Sequence, residues 1–245
     1  MVDAAKRVAL ITGANKGIGF EVARQVGKAG CTVLVGARNI ELGKQAALRL
    51  KVEGNDSHFI AIDVVKLDTI HRAAKQIESE FGRLDILVNN AGIAALGRDG
   101  APSTADIEAV RSTIETNFIG ALAVTQAMLP LLRKSQAANI VNVSSELGSI
   151  TGHTTPDWKF AHVRAIGYSA SKAAMNMMTA QLALELTGTA IKVNSVNPGY
   201  TATDLNKNSG PQTVQEGAAE TIRLALAGPD GPSGGFYETG GTLPW

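Results

Sequence analysis

A tyrosine and a lysine four residues apart form the pair of side chains in this sequence best suited to proton transfer. The segment reads Tyr168-Ser169-Ala170-Ser171-Lys172, and residues at this spacing share one face of a helix. A free tyrosine has a pKa of about 10, too high for efficient proton exchange at neutral pH. A nearby ammonium favours the phenolate and lowers that pKa. The pair therefore indicates an acid–base centre, although the spacing also fits two exposed residues of a helix.

Polar residues upstream of this pair could complete such a centre. A predicted strand over residues 140–143 ends in Ser144-Ser145, where a hydroxyl could hydrogen-bond a substrate oxygen while Tyr168 donates its proton. Asn117 falls inside a predicted helix from about residue 106 to 132. Because asparagine is an indifferent helix former, Asn117 is either a solvated position or a group that binds water near the active centre.

A glycine-rich segment near the N-terminus predicts a phosphate-binding turn. The first apolar run is followed by Thr12-Gly13-Ala14-Asn15-Lys16-Gly17-Ile18-Gly19. Glycines allow a tight turn and a close approach to a pyrophosphate, and the N-terminus of the following helix offers free N–H groups and a positive dipole end. The spacing is G-x-x-x-G-x-G rather than G-x-G-x-x-G. The alternative is a loop that only turns a corner.

Two cations indicate which dinucleotide this turn would take. NAD-binding sheets place a carboxylate near the end of the second strand for the ribose 2′-OH, whereas this position is Arg38. Lys16 lies within the glycine turn and is expected near the same place. Both could bind a 2′-phosphate, so the sequence favours NADP(H) over NAD(H). The other interpretation is a pair of solvated surface cations.

Alternating strands and helices must position these residues. Predicted strands cover residues 8–12, 32–35, 59–62, 86–89, 140–143 and 191–196. Apolar residues at helical spacing lie between them, at Ile18, Val22 and Val26 and again over residues 70–81, and a helix is expected from about residue 167 to 186. This alternation is typical of an α/β, doubly wound, Rossmann-like parallel sheet with helices on both faces. We expect about seven strands in one domain, residues 1–245.

Composition and charge limit the possible partners. The formal net charge of +1 disfavours nucleic acid and a basic membrane patch. No apolar run reaches the roughly 20 residues of a membrane span, and the first one is too short for a signal peptide. Cys31 is the only cysteine, which excludes an intrachain disulfide, and no residue pattern predicts a metal site. A cytoplasmic protein acting on a small molecule is the expectation.

Taken together, these motifs identify a resemblance to the compact branch of the short-chain dehydrogenases/reductases. It spans essentially the whole chain and depends on the motifs in this order: the glycine turn at 12–19, Asp63-Val64, Asn89-Asn90-Ala91-Gly92, Asn117, Ser145, Tyr168 with Lys172, and Pro198-Gly199-Tyr200-Thr201-Ala202-Thr203. The resemblance implies hydride transfer between a nicotinamide and a carbonyl or alcohol.

The resemblance also implies a role for each matching residue. Tyr168 would be the general acid in reduction and the base in oxidation, and Ser145, with Ser144 as the alternative, would orient the carbonyl. Lys172 would bind the nicotinamide ribose and lower the pKa of Tyr168, and Asn117 would hold a water in a proton relay. Cofactor contacts would come from Gly13, Asn15, Lys16, Gly17, Ile18, Gly19, Arg38, Asp63, Val64, Asn90, Ala91, Gly92, Tyr168, Lys172, Pro198, Gly199, Thr201 and Thr203. Among these, Asp63 and Val64 would contact the adenine, Asn90 the adenosine-side ribose region, and residues 198–203 would cover the nicotinamide.

An insertion precedes the tyrosine. Ser145 and Tyr168 are 23 residues apart, longer than is usual in this branch, and the extra segment at about residues 146–166 is similar to that of carbonyl-reductase-like members. Trp158 and Phe160 would either line an apolar substrate pocket or pack the insertion onto the protein itself. We expect substrate choice to depend on this insertion and on the 200–215 loop. Since such an insertion can cover a helix face used for assembly, both a monomer and a homo-oligomer stay open.

The favoured function is NADPH-dependent reduction of a ketone, aldehyde or quinone. One alternative within the family is an acyl-thioester or sugar ketoreductase. Another is a non-catalytic NADP-binding redox sensor, which predicts the loss of Tyr168 or Lys172, and both residues are present. An epimerase or dehydratase of the extended branch would have a different glycine spacing and a larger C-terminal part than 245 residues allow.

Overall fold

The fold is a single twisted sheet between two layers of helices. The computed structural model describes residues 6–245, so residues 1–5 of the predicted domain lie outside the described residues. Within residues 6–245 the sheet has eight strands, in the order β3-β2-β1-β4-β5-β6-β7-β8. They are β1 (Val8–Thr12), β2 (Thr32–Ala37), β3 (Ser57–Ala61), β4 (Ile86–Asn89), β5 (Ala138–Val143), β6 (Ile191–Val196), β7 (Phe236–Glu238) and β8 (Gly241–Thr242). Neighbouring strands are parallel except β7 and β8.

Helices follow most of the strands, as the alternating pattern predicts. The α-helices of the described chain are α1 (Gly17–Lys28), α2 (Ile40–Val52), α3 (Leu67–Phe81), α4 (Ile107–Ile114), α5 (Gly120–Leu132), α6 (Ile150–Thr154), α7 (Ile166–Glu185) and α8 (Val214–Ala225). A π-helical segment, Glu115–Ile119, joins α4 to α5.

Two apolar cores, one on each face of the sheet, hold the layers together. Successive residues of a strand point to opposite faces; accordingly Ile11 and Val35 pack with α1, α2 and α8, whereas Leu10 and Leu34 pack with α3 and α5. These strand residues are completely buried, which explains why the strands read as continuous apolar runs. Among the described residues, no helix is both long enough and apolar enough to cross a membrane.

The predicted fold class is confirmed, with differences in detail. The bounds of β1, β4 and β6 match the prediction, while β2 and β5 are two residues longer and β3 begins two residues earlier. The strand count is eight instead of about seven because β7 and β8, with three and two residues, are too short to show a periodic pattern. The single helix predicted over residues 106–132 is divided by the π-helical segment, a feature that apolar spacing does not reveal.

The sheet order places a crevice where ligands bind on such folds. The chain runs outward from β1 to β2 and β3, then returns to β4 on the other side of β1. Consequently the connections after β1 and β4 diverge at the carboxyl ends of these strands, the position at which doubly wound sheets bind ligands.

Candidate active site

A cavity of about 970 Å³ lies over the carboxyl ends of the strands. It brings together most of the residues that the sequence singled out. The predicted residues on its wall are Gly13, Asn15, Lys16, Gly17, Ile18, Gly19, Arg38, Asp63, Val64, Asn90, Ala91, Gly92, Tyr168, Lys172, Pro198 and Thr203. Asn117, Ser145, Gly199 and Thr201 stand outside the wall. The hydroxyl of Thr201 is directed inward and donates to the Pro198 carbonyl at 3.1 Å, so it closes the turn beside the cavity.

The glycine turn forms one end of this cavity. Gly13 and Gly17 have φ angles of +65° and +57°, a region that side chains rarely adopt. A Cβ on Gly13 would also lie 3.0 Å from the Cα of Ala91. The side chain of Asn90 donates to the Thr12 carbonyl at 2.9 Å, which ties this turn to the loop after β4. No side chain caps α1, so its first N–H groups are available to an anion.

Arg38 and Lys16 both reach the cavity wall near the end of β2. Arg38 is exposed and makes no hydrogen bond or ion pair with any residue of the described chain. Lys16 is paired: its Nζ lies 2.6 Å from Oδ2 of Asp204, and both side chains are 62% exposed. The Lys16 ammonium lowers the pKa of Asp204. The pair joins the glycine turn to the loop after β6, across the mouth of the cavity.

Lys172 and Tyr168 lie together on α7, one turn apart, as their spacing predicts. The Lys172 ammonium donates to the Val143 carbonyl at 2.7 Å and lies 5.6 Å from the centre of the Tyr168 ring. Burial lowers the pKa of Lys172 to about 8. Burial raises the pKa of Tyr168 to about 12, opposed by a hydrogen bond with Ser145. The pKa of the phenol therefore shifts opposite to the direction expected from the lysine, because the cost of burying a phenolate dominates.

The two serines at the end of β5 have different environments. Ser144 is 2% exposed, and its hydroxyl donates to the Lys172 carbonyl at 3.4 Å, although the residue forms part of the cavity wall. Ser145 is half-buried; its hydroxyl hydrogen-bonds Tyr168 and accepts the N–H of Leu147 at 3.2 Å. Of the two hydroxyls, that of Ser145 is therefore the one beside the phenol.

Asn117 lies in the π-helical segment and is completely buried. Its amide oxygen accepts the N–H of Ile93 at 2.8 Å. Its amide nitrogen donates to the Ile93 carbonyl and to the Ser171 hydroxyl, both at 3.0 Å. The solvated interpretation of Asn117 is thus wrong. The side chain joins the loop after β4 to α7, and π-helical turns are frequent at functional sites.

One carboxylate that contacts this centre has no signal in the sequence. Asp99, in the loop after β4, accepts the backbone N–H of Tyr168 at 2.8 Å. A single aspartate in a loop carries no local signal of such a contact, which spans 69 residues of the chain. The available hint was Ala165, which precedes α7 and cannot cap a helix with its side chain.

The insertion packs against itself and leaves the cavity wall to other segments. Trp158 contacts His153, with ring centres 4.5 Å apart, and its indole N–H donates to Glu146 at 3.4 Å. Lys159 forms an ion pair with Glu146 at 2.9 Å. No residue of the stretch 146–166 lies on the cavity wall, which instead includes Ile93, Ala94, Ala95 and Leu96. Trp158 and Phe160 therefore follow the packing alternative, and the dependence of substrate choice on the insertion stays a prediction.

Comparisons with known proteins agree with this geometry. Residues 7–213 match the family model described as short chain dehydrogenase. Short-chain dehydrogenase/reductase 1 of Saponaria officinalis is 35% identical over 295 residues, covering 99% of this chain and 97% of that protein. The structure is similar to salutaridine reductase from Papaver somniferum, with a TM-score of 0.82, 31% identity and coverage of 95% and 99% of the two chains. It is also similar to the NADPH-bound carbonyl reductase from chicken fatty liver, with a TM-score of 0.85, 25% identity and coverage of 98% and 99%.

Proposed function

Because the chain belongs to the short-chain dehydrogenase/reductase family, a family of oxidoreductases, we propose that it is an NADPH-dependent reductase of ketones, aldehydes or quinones. The observation that carries this proposal is one cavity with a phosphate-binding turn at one end and Tyr168 beside Lys172 at the other. The glycine turn follows β1, whereas Tyr168 and Lys172 lie on α7, which Lys172 ties to the end of β5. Both ends line the same crevice.

The residues that line the cavity fit nicotinamide adenine dinucleotide phosphate, NADP(H). Gly13 has no Cβ, and one built there would collide with Ala91. The backbone of the glycine turn is therefore exposed to the cavity, where a pyrophosphate can approach it. The end of β2 offers the guanidinium of Arg38, which has no partner among residues 6–245, instead of a carboxylate. Lys16 supplies a second cation nearby. In this assignment Arg38 and Lys16 hold the 2′-phosphate, Asp63 and Val64 border the adenine, and Lys172 holds the nicotinamide ribose. When bound, NADPH supplies the hydride for the carbonyl carbon.

Tyr168 completes the reduction by donating its phenolic proton to the carbonyl oxygen. A pKa of about 12 keeps the phenol protonated at neutral pH, which suits a proton donor. In the proposed complex Ser145, already hydrogen-bonded to the phenol, holds the same carbonyl oxygen and polarises it. The Lys172 ammonium, 5.6 Å from the ring centre, stabilises the phenolate left after transfer. In oxidation the phenolate would accept the proton of the alcohol.

The wall between Gly92 and Arg98 supports an apolar carbonyl substrate. Ile93, Ala94, Ala95 and Leu96 line the cavity there, so hydrocarbon flanking the carbonyl would lose contact with water on binding. The only cationic side chain on this stretch of the described loop, Arg98, is bound to Asp106 at 2.6 Å. This segment therefore offers no free charge for an acidic or phosphorylated substrate.

A substrate panel tests the function. Purified protein is incubated with NADPH and a series of ketones, aldehydes, quinones, acyl thioesters and sugars, and NADPH oxidation is followed by absorbance. Turnover of free carbonyl compounds, with NADH much less effective, is the expected result. Preference for the thioesters or the sugars would replace the substrate class. Tight NADPH binding with no turnover of any member would favour a redox sensor.

A further inference from the structure

Asp99, in the loop after β4, binds the first turn of α7, the helix that carries Tyr168 and Lys172. Its Oδ2 accepts the backbone N–H of Tyr168 at 2.8 Å, and its Oδ1 accepts the backbone N–H of Gly167 at 2.9 Å. Oδ1 also accepts the N–H of Gly100 at 2.9 Å, which orients the carboxylate within its own loop. Both oxygens are thus directed at the main chain of α7 where the proton donor stands.

These bonds replace a cap that α7 lacks. The first N–H groups of a helix have no partner within the helix, and Asn, Asp, Ser or Thr at the preceding position usually accepts them. α8 follows that rule, since Thr213 accepts the N–H of Glu216. α7 is preceded by Ala165, which has no side-chain acceptor. A carboxylate from another part of the chain serves instead, and its negative charge also suits the positive end of the helix dipole.

The contact leaves little freedom at the start of α7. The N–H of Ile166 donates to the Gly100 carbonyl at 3.0 Å, so Asp99 and the residue after it both bind the start of the helix. A Cβ on Gly167 would lie 3.0 Å from the Cα of Val110 and 3.3 Å from Oδ2 of Asp99. The helix start, the loop and α4 are therefore in close contact, and a shift of the loop displaces the backbone of Tyr168.

The same loop walls the cavity. Residues 93–96 and Arg98 line it immediately before Asp99. We propose that Asp99 is a positioning residue: it fixes the Tyr168 backbone to the loop that receives the substrate, so that the phenol and the carbonyl oxygen are held in register. This inference rests on the proposed function. A cap that serves stability alone would change the melting temperature of the protein and leave its turnover intact.

The test compares two carboxylates that accept backbone N–H groups. Asp99→Ala removes the carboxylate that caps α7. Asp85→Ala is the matched control, because Asp85 accepts the backbone N–H of Val8 at 2.8 Å just before β4, at the edge of the sheet opposite the cavity. For each variant and the wild type, kcat at saturating NADPH and carbonyl substrate, KM for NADPH, the Kd of NADPH and the melting temperature are measured at a temperature where all are folded. Asp99→Asn is included in case the alanine variant does not fold. Its single amide oxygen can accept from Gly167 or Tyr168, while its NH₂ group faces the other N–H.

We expect kcat to fall about tenfold to a hundredfold in Asp99→Ala, because small displacements of a reacting group cost rate steeply. The Kd of NADPH should stay within about twofold, and Asp85→Ala, although less stable, should keep its kcat within about twofold. Asp99→Asn should lose about threefold to tenfold in kcat. The inference is overturned by a folded Asp99→Ala with wild-type kcat, by equal losses of kcat in Asp99→Ala and Asp85→Ala, or by wild-type kcat in Asp99→Asn. A wild-type protein that reduces no carbonyl compound would remove the proposed function and this inference with it.

Discussion

The Nζ of Lys172 donates a hydrogen bond of 2.7 Å to the carbonyl oxygen of Val143, the last residue of β5. The bond connects α7 to the strand that precedes Ser144 and Ser145. Since Lys172 is 4% exposed, its position is determined by the protein interior. The ammonium thus stays close to Tyr168.

Replacing Tyr168 by phenylalanine should lower kcat by about 10²–10⁴, the usual contribution of a positioned proton donor. The ring and its packing are retained, so the Kd of NADPH should change little. Tyr237→Phe, which removes a phenol remote from α7, is the matched control and should have wild-type kinetics. Turnover of Tyr168→Phe close to that of the wild type would exclude the phenol from proton transfer.

The kcat/KM for NADPH should decline above about pH 8, because burial lowers the pKa of Lys172 to about 8. Above that pH the side chain loses its proton and with it the charge proposed to hold the ribose, whereas Tyr168 stays protonated up to a pKa of about 12. We expect kcat/KM for NADPH to be level below pH 8 and to fall about tenfold per pH unit above it. Lys172→Arg stays charged over the whole pH range, so kcat/KM for NADPH of this variant should not fall above pH 8. A wild-type profile that is flat from pH 7 to 10 contradicts the prediction.

The choice between NADPH and NADH should depend on Arg38. Arg38→Asp replaces the proposed phosphate contact with a carboxylate suited to a ribose 2′-OH, and kcat/KM for NADPH should fall about tenfold or more relative to NADH. Asp204→Asn releases Lys16 from its 2.6 Å ion pair and should tighten NADPH binding severalfold without affecting NADH. Both are measured by titration with the two cofactors. An unchanged NADPH/NADH ratio in Arg38→Asp would show that the guanidinium is only a surface cation.

A methyl group at Gly148 should disturb the packing of α7 at Lys172. Its Cβ would lie 2.7 Å from the backbone carbon of Lys172 and 2.8 Å from the Lys172 Cβ, so the helix or the turn after Ser145 must move. Gly148→Ala should reduce stability by about 1–3 kcal/mol, as overpacking commonly does, and lower kcat as well. Gly228→Ala, where a Cβ meets nothing within 4 Å, should change neither. Chemical unfolding and steady-state kinetics of the two variants check this, and equal effects from both would contradict it.

Much of the candidate site was predictable because its signals are local. Tyr168 and Lys172 share a helix face by spacing alone, and the glycine turn is contiguous with the strand before it. Once the strands were known to be parallel, their carboxyl ends had to meet at one edge. For that reason the sequence predicts Gly13, Arg38, Asn90 and Pro198 around one crevice, and all four line the cavity.

Contacts between distant parts of the chain were not predictable. The side chain of Asn142 bridges Asn89 and Thr179 at 2.8 Å each, a buried polar link between β4, β5 and α7. Nothing in the local sequence of these residues distinguishes them from polar positions on a surface. The direction of the pKa shift of Tyr168 belongs to the same class, because it depends on burial by elements from several parts of the chain.

The sequence by itself determined the parallel sheet, the cofactor crevice and the pairing of Tyr168 with Lys172, because strand and helix periods and short motifs act over a few residues. Only the tertiary structure decided which hydroxyl stands beside the phenol, that Lys16 is paired with Asp204, and that Asp99 caps α7. Each of these depends on packing that brings together residues far apart in the chain. Hydrogen bonds and burial require proximity in space, and sequence spacing conveys that proximity only within a single element.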